Sequence, residues 1–282
     1  MNAMTESIRE EALDFDCEGA TLLGVLARPA LMSAETGVIV VVGGPQTRVG
    51  SHRQFVLLSR ALARGGFACL RFEYRGMGDA EGAVRDFEAV DADVSAAVDA
   101  LIAAEPAVKQ VVLWGLCDGA TASAFASMQD ARIAGLVMLN PWVRTSQGEA
   151  AALVSNYYRG RLLSAAFWRK LFSGGLDIPG RLREFFGNLR TARGNAPAAR
   201  DLPTRLAHAL SARRLPVLLL IAGRDLTAAE FVAAAGCAPL SDALVGCTLT
   251  RVELPEANHT FSSAQWRGEV EAATLSWLRS QA

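Results

Sequence analysis

The hexapeptide Gly115-Leu116-Cys117-Asp118-Gly119-Ala120 sets a thiol among small residues, between an apolar run at 110–114 and a helical pattern at 120–128. A strand, a tight turn and a helix in that order make a nucleophile elbow: the central residue is held strained at the tip, and small neighbours let strand and helix approach. Gly115, Gly119 and Ala120 are those neighbours, and Cys117 is the tip. A thiolate is a strong nucleophile and the amino end of a helix favours it, so the chemistry on offer is acyl transfer through a thioester. Taken alone, the same residues also read as a glycine turn carrying one of five small, buried cysteines.

Two more residues shift that balance. An apolar run at 216–222 leads into Gly223-Arg224-Asp225, and another at 249–253 leads into Glu256-Ala257-Asn258-His259-Thr260-Phe261. Each puts a chemically useful side chain just past the end of a strand. Asp225 also suits the cap of a helix at 227–235, and His259 alone would pass for a surface loop residue. With Cys117 they make a Cys-His-Asp triad. His259 takes the thiol proton or holds Cys117 as a thiolate, then returns the proton to the leaving group, while Asp225 fixes the tautomer and stabilises the imidazolium. The N–H of Asp118 is then one oxyanion donor. Its side chain is an open question, because a carboxylate beside a thiol disfavours the thiolate unless it turns away or meets a cation.

The elements that must position these residues alternate. Residues 12–16 and 22–27 flank a Glu18-Gly19 turn and read as an antiparallel hairpin. The run Val38-Ile39-Val40-Val41-Val42 is β-branched and continuous, as in a strand buried on both faces, and it ends in Gly43-Gly44-Pro45. A helix capped by Ser51 and reaching Arg64 follows, then strand 67–72, a glycine-rich loop, helix 87–104, strand 110–114, helix 120–128 and strand 133–139. This alternation predicts right-handed βαβ crossovers and a mostly parallel, doubly wound sheet with ligands beyond the carboxyl ends of its strands. The rhythm breaks between Asn140 and about Ser211, where helical periods carry many aromatic residues and no strand signal. It resumes at 216–222 and 249–253, and a helix at 267–279 closes the chain. The expected organisation is an α/β core in two parts, 1–140 and 212–282, with a helical lid insertion at 141–211 over the elbow.

With 282 residues, 51% of them hydrophobic, the chain is long enough to bury a large core as one main domain. A net charge of −1, scattered rather than blocked, leaves no electrostatic footprint for nucleic acid or an anionic membrane, so the expected partner is a small molecule. No apolar run is long enough to span a bilayer, and residues 1–16 are polar and acidic, without the core of a signal peptide. The odd cysteine count, without a CxxC pair, suits a reducing compartment, and three histidines offer little for a zinc site. The expectation is a cytoplasmic protein needing no metal or cofactor; its oligomeric state is not legible.

Over nearly its whole length the chain resembles the α/β-hydrolase superfamily. The matching pieces are Gly43-Gly44-Pro45-Gln46, Arg71-Phe72-Glu73-Tyr74-Arg75-Gly76-Met77-Gly78-Asp79, the elbow, Gly223-Arg224-Asp225 and Ala257-Asn258-His259-Thr260-Phe261. The order nucleophile, acid, histidine is also that superfamily's. More narrowly, Gly43 to Gln46, Gly50-Ser51-His52-Arg53-Gln54-Phe55 and the elbow resemble the exosortase A system-associated hydrolases, bacterial proteins whose genes accompany exopolysaccharide and exosortase loci. The resemblance implies an α/β-hydrolase fold, esterase or thioesterase activity on a small-molecule acyl substrate, and an exopolysaccharide setting. The family's second oxyanion donor is the N–H after a His-Gly pair. Here Gly43 replaces the His and Pro45 has no N–H, so Gln46, by its backbone or side-chain amide, is the substitute. The Arg75 to Asp79 loop reads as a structural turn held by those two residues. His52, near the oxyanion loop, and Tyr157, Tyr158 and Arg159 in the lid are candidate substrate contacts, although a helix start for the first, and lid packing or a solvated face for the others, are the default readings.

Three readings follow: hydrolysis of an ester or thioester through acyl-Cys117, transfer of the same acyl group to an alcohol such as a sugar hydroxyl, or a catalytically silent binding protein on the same fold. The first two differ only in whether the closed site admits water or an acceptor.

Overall fold

The β-branched run after Gly37 forms a strand whose alternate residues enter two different cores. Val38 and Val40 pack with Phe55, Leu62, Trp114 and Trp277 on one face, and Ile39 and Val41 pack with Val94, Leu101 and Leu113 on the other. A strand covered on both sides has no solvent face, hence no polar alternation. The computed structural model describes residues 8–31, 33–44, 46–143 and 201–281.

Among these, eight strands form one sheet: β1 (Ile8–Cys17), β2 (Ala20–Pro29), β3 (Thr36–Val41), β4 (Cys69–Phe72), β5 (Gln110–Leu116), β6 (Ile133–Leu139), β7 (Val217–Arg224) and β8 (Leu249–Asn258). Their order is β1-β2-β4-β3-β5-β6-β7-β8. The hairpin β1–β2 and the pair β2–β4 are antiparallel; every other pair is parallel. Helices α1 (Gln54–Arg64) and α7 (Ala264–Ser280) cover the face of Val38 and Val40. The opposite face is covered by α2 (Asp91–Ala104), α3 (Asp118–Ala126), α4 (Leu202–Arg213), α5 (Leu226–Ala235) and α6 (Leu240–Val245). The doubly wound, mostly parallel sheet expected from the alternation is the one observed.

Three local expectations need correction. Ser51 does not cap α1: Ser51–Arg53 is a 3-10 turn, and the helix begins at Gln54 with no side-chain cap. His52 and Arg53 have φ of 54° and 60°, a conformation that cannot continue into a right-handed helix. β8 runs to Asn258, well past its apolar stretch, because it pairs with β7 alone and its outer residues need not be apolar. The short helix α6 was not expected, since no side chain caps it and six residues carry little periodicity. Residues 144–200, most of the expected lid, lie outside the described residues; α4, at the end of that region, packs against α3 and α6. No helix among the described residues is long and apolar enough to cross a membrane.

Candidate active site

Parallel pairing lines up the carboxyl ends of β3, β5, β6, β7 and β8 along one edge of the sheet. Val41 lies beside Gly115, Leu116 beside Leu139, Leu139 beside Leu220, and Arg224 beside Asn258. Cys117, Asn140, Asp225 and His259 are each the first residue after their strand. At the usual strand spacing β5 and β8 are roughly 14 Å apart, so His259 reaches Cys117 only because its loop folds back across β7 and β6.

Cys117 sits at φ 61°, ψ −125°, a conformation that costs a side-chain-bearing residue about 1–3 kcal/mol. It is held there from both sides: its N–H donates to Leu139 O at 2.8 Å, and its carbonyl accepts from Trp142 N–H at 3.1 Å. The elbow glycines are obligatory. A Cβ on Gly115 would lie 2.4 Å from Gly119 O, and one on Gly119 2.5 Å from Val41 O.

His259 Nδ1 lies 2.8 Å from Asp225 Oδ2, leaving Nε2 for Cys117. Hydrogen bonding to Asp225, and then to Cys117, pushes the imidazole up to about 10 against the opposing effect of burial. Asp225 is also the N-cap of α5, its two oxygens accepting from Thr227 N–H at 3.3 Å and Ala228 N–H at 3.1 Å. The capping and catalytic readings of this residue are therefore not alternatives, because one carboxylate has lone pairs for both.

Sequence reasoning missed Asn140, taking it only for the start of the insertion. It is fully buried. Its Nδ2 donates to His259 O at 3.1 Å, and its Oδ1 accepts from Ala222 N–H at 2.8 Å, three residues before Asp225. The loop of His259 is braced further by Asn258, whose side chain takes Ser262 N–H at 3.1 Å and donates to Ser262 Oγ at 2.8 Å. A usable signal was present: an amide directly after a buried strand, the placement shared by Cys117, Asp225 and His259.

Cys117 and His259 open into a cleft of about 320 Å³ lined also by Gly43, Gly44, Gln46, Phe87, Asp118 and Trp142. Phe87 and Trp142, neither singled out from sequence, give it apolar walls. Among the described residues the Asp118 carboxylate meets no cation and turns to backbone donors instead, Oδ2 accepting from Gly44 N–H at 2.7 Å and Oδ1 from Gly119 N–H at 3.0 Å. Burial pushes its carboxyl up, while the N–H groups of Gly44, Gly119 and its own residue act the other way. Gln46 spends its N–H on Gly43 O at 3.3 Å, and its Oε1 is buried without a partner among the described residues.

His52 is exposed on its turn and is not among the residues lining the cleft. Tyr157, Tyr158 and Arg159 lie outside the described residues. Arg75 and Asp79 have structural partners. Buried Arg75 binds Asp93 through Nε at 3.0 Å and Nη2 at 2.9 Å, and also pairs with Glu18. Asp79 accepts from Arg48 at 2.7 Å, and Arg48 pairs in turn with the buried Glu73.

This chain belongs to the alpha/beta hydrolase family, whose profile matches residues 38–273. Among solved structures it is similar to the esterase Pf2001 of Pyrococcus furiosus, at 15% identity and TM-score 0.66, covering 96% of this chain and 91% of that one. Est1E from Butyrivibrio proteoclasticus, solved with ferulic acid bound, matches at 18% identity and TM-score 0.63, covering 96% and 99%. A dienelactone hydrolase from Anabaena variabilis matches at 16% identity and TM-score 0.61, covering 96% and 97%. At these identities the likeness establishes the fold. No curated protein matches the sequence.

Proposed function

We propose that this protein hydrolyses an ester or thioester through an acyl-Cys117 intermediate. The observation that carries the reading is the His259–Asp225 pair, 2.8 Å apart, its imidazole facing the same cleft as Cys117 at the strained tip of the elbow. His259 Nε2, raised to about 10, holds the proton given up by Cys117, and Sγ attacks the acyl carbonyl carbon. The tetrahedral oxyanion is met by the N–H of Asp118 and the side-chain amide of Gln46; half a turn of that amide presents Nε2 where Oε1 now lies without a partner among the described residues. Collapse expels the alkoxide or thiolate, which takes the proton from His259 and leaves a thioester. A water, giving its proton to His259, attacks that thioester, and the carboxylic acid departs as the proton returns to Sγ. The apolar walls of Phe87 and Trp142 suit the acyl chain.

The same intermediate passed to an alcohol, such as a sugar hydroxyl, makes an acyltransferase. The deciding experiment is intact-protein mass spectrometry after brief incubation with short- and medium-chain p-nitrophenyl esters and acyl thioesters. A gain of one acyl group, absent in Cys117→Ala, supports the reading. Decay of the adduct in water against added alcohols separates hydrolase from transferase. Folded protein with no adduct and no turnover across the panel would favour the silent binding protein.

A further inference from the structure

The loop after β3 faces Cys117 with hardly a backbone donor to spare. Gly44 N–H is committed to Asp118 and Gln46 N–H to Gly43 O, while Pro45 has no N–H. What this loop can give an oxyanion is therefore the side chain of Gln46, and its aim depends on what anchors the loop. One anchor lies on the far side: Arg48 N–H donates to Glu73 Oε1 at 3.0 Å and its guanidinium pairs with the same carboxylate. On the near side, the anchor is the side chain of the residue after the nucleophile.

We infer that the Asp118 carboxylate is a positioning residue that clamps the Gly43-Gly44 loop to the amino end of α3, setting the distance between Gln46 and Cys117. Its two oxygens bridge Gly44 N–H on the loop and Gly119 N–H on the helix, so one rigid planar group spans both sides of the cleft floor. The loop has been fitted to this carboxylate. A Cβ on Gly43 would lie 2.1 Å from Asp118 Oδ1, as well as 2.7 Å from Gly119 N and 2.8 Å from Leu116 O. The space that the family's histidine side chain would need is filled by the clamp, which gives a physical reason for Gly43. Charge-assisted bonds from a carboxylate to backbone N–H groups are among the stronger hydrogen bonds available, and partial burial of Asp118 keeps water from competing for them.

The clamp serves the acyl-enzyme reading but is separable from it by experiment. Hydrogen–deuterium exchange of the segment containing Gly44, read beside the rate of Cys117 acylation by a p-nitrophenyl ester, tests both in wild type, Asp118→Ala, Asp118→Asn, Gln46→Ala and the double variant Asp118→Ala/Gln46→Ala. Loss of the bond should speed Gly44 exchange by about tenfold or more in Asp118→Ala, with Asn, which keeps one acceptor oxygen, in between. Acylation at saturation should fall by about a hundredfold in Asp118→Ala with little change in KM, as expected of a misplaced donor. Because Asp118 acts through Gln46, the double variant should be no slower than Gln46→Ala. Unchanged Gly44 protection in Asp118→Ala overturns the clamp, and multiplying effects in the double variant overturn its action through Gln46. If no protein acylates, wild type included, the acyl-enzyme reading fails, and the exchange result alone decides the clamp.

Discussion

Asn140 Nδ2 donates to the backbone oxygen of His259 at 3.1 Å across 119 positions of sequence. Through its other side-chain atom the same residue holds Ala222 N–H, so one buried amide ties the end of β6 to the strand of Asp225 and the loop of His259. The relative placement of acid and imidazole thus rests on a residue that touches neither side chain in their hydrogen bond.

Asn140→Ala should leave Ala222 N–H and His259 O buried and unpaired, each costing about 1–3 kcal/mol. Urea denaturation should show that loss of stability. The rate of Cys117 acyl-adduct formation in the remaining folded protein should fall as well, since His259 loses its brace.

Asp225 can be split into its two jobs. Asn caps helices almost as well as Asp, so Asp225→Asn should cost little stability while lowering the acylation rate on the order of 10⁴-fold by failing to orient the imidazole. Asp225→Ala should lose the cap too, about 1 kcal/mol more. Equal acylation in wild type and Asp225→Asn would remove Asp225 from the chemistry.

The imidazole of His259 is raised from an ordinary 6.5 to about 10 in the folded protein. A raised folded value means that the native state holds the proton more tightly than the unfolded chain. The resulting stabilisation is therefore fully present below about pH 6.5 and is lost as pH climbs through about 10. Denaturant midpoints against pH should show wild type exceeding His259→Gln most at the acid end of that window, with the gap closing on the alkaline side. Asp225→Asn should shift the closing point to lower pH.

Arg75 and Asp93 form a buried ion pair, with 5% and 0% of their side chains exposed. Arg75→Ala strands the carboxylate of Asp93, and an uncompensated buried charge costs about 3–5 kcal/mol. Thermal melting should show the loss, whereas acyl-adduct formation per folded molecule should hardly change, because the pair supports the loop after β4 and does not line the cleft.

The amino-acid sequence by itself determined the class of fold and which residues follow directly on strand ends. A β-branched run without polar alternation, such as 38–42, can only be a strand covered on both faces, and repeated strand–helix alternation then forces parallel pairing and one edge where carboxyl ends meet. That places Cys117, Asp225 and His259 on a common edge, because each follows closely on an apolar run. Local chemistry was also legible where it needs only neighbours in the chain, as in the small residues of the elbow and the capping role of Asp225.

Only the tertiary structure decided what each polar group near the edge is bonded to. Asn140 looked like the beginning of a loop because its partners are Ala222 and His259, 82 and 119 residues away. Asp118 posed a question about charge that its own segment could not answer; the answer, Gly44 N–H, lies 74 residues earlier. His52 and Arg53 turn left-handed where a helix was expected, and Arg48 binds Glu73 and Asp79 across strands. Periodicity records burial, which is a property of a residue and its neighbours in the chain. A hydrogen bond between distant segments depends on register and loop path, and these exist only once the whole sheet has assembled.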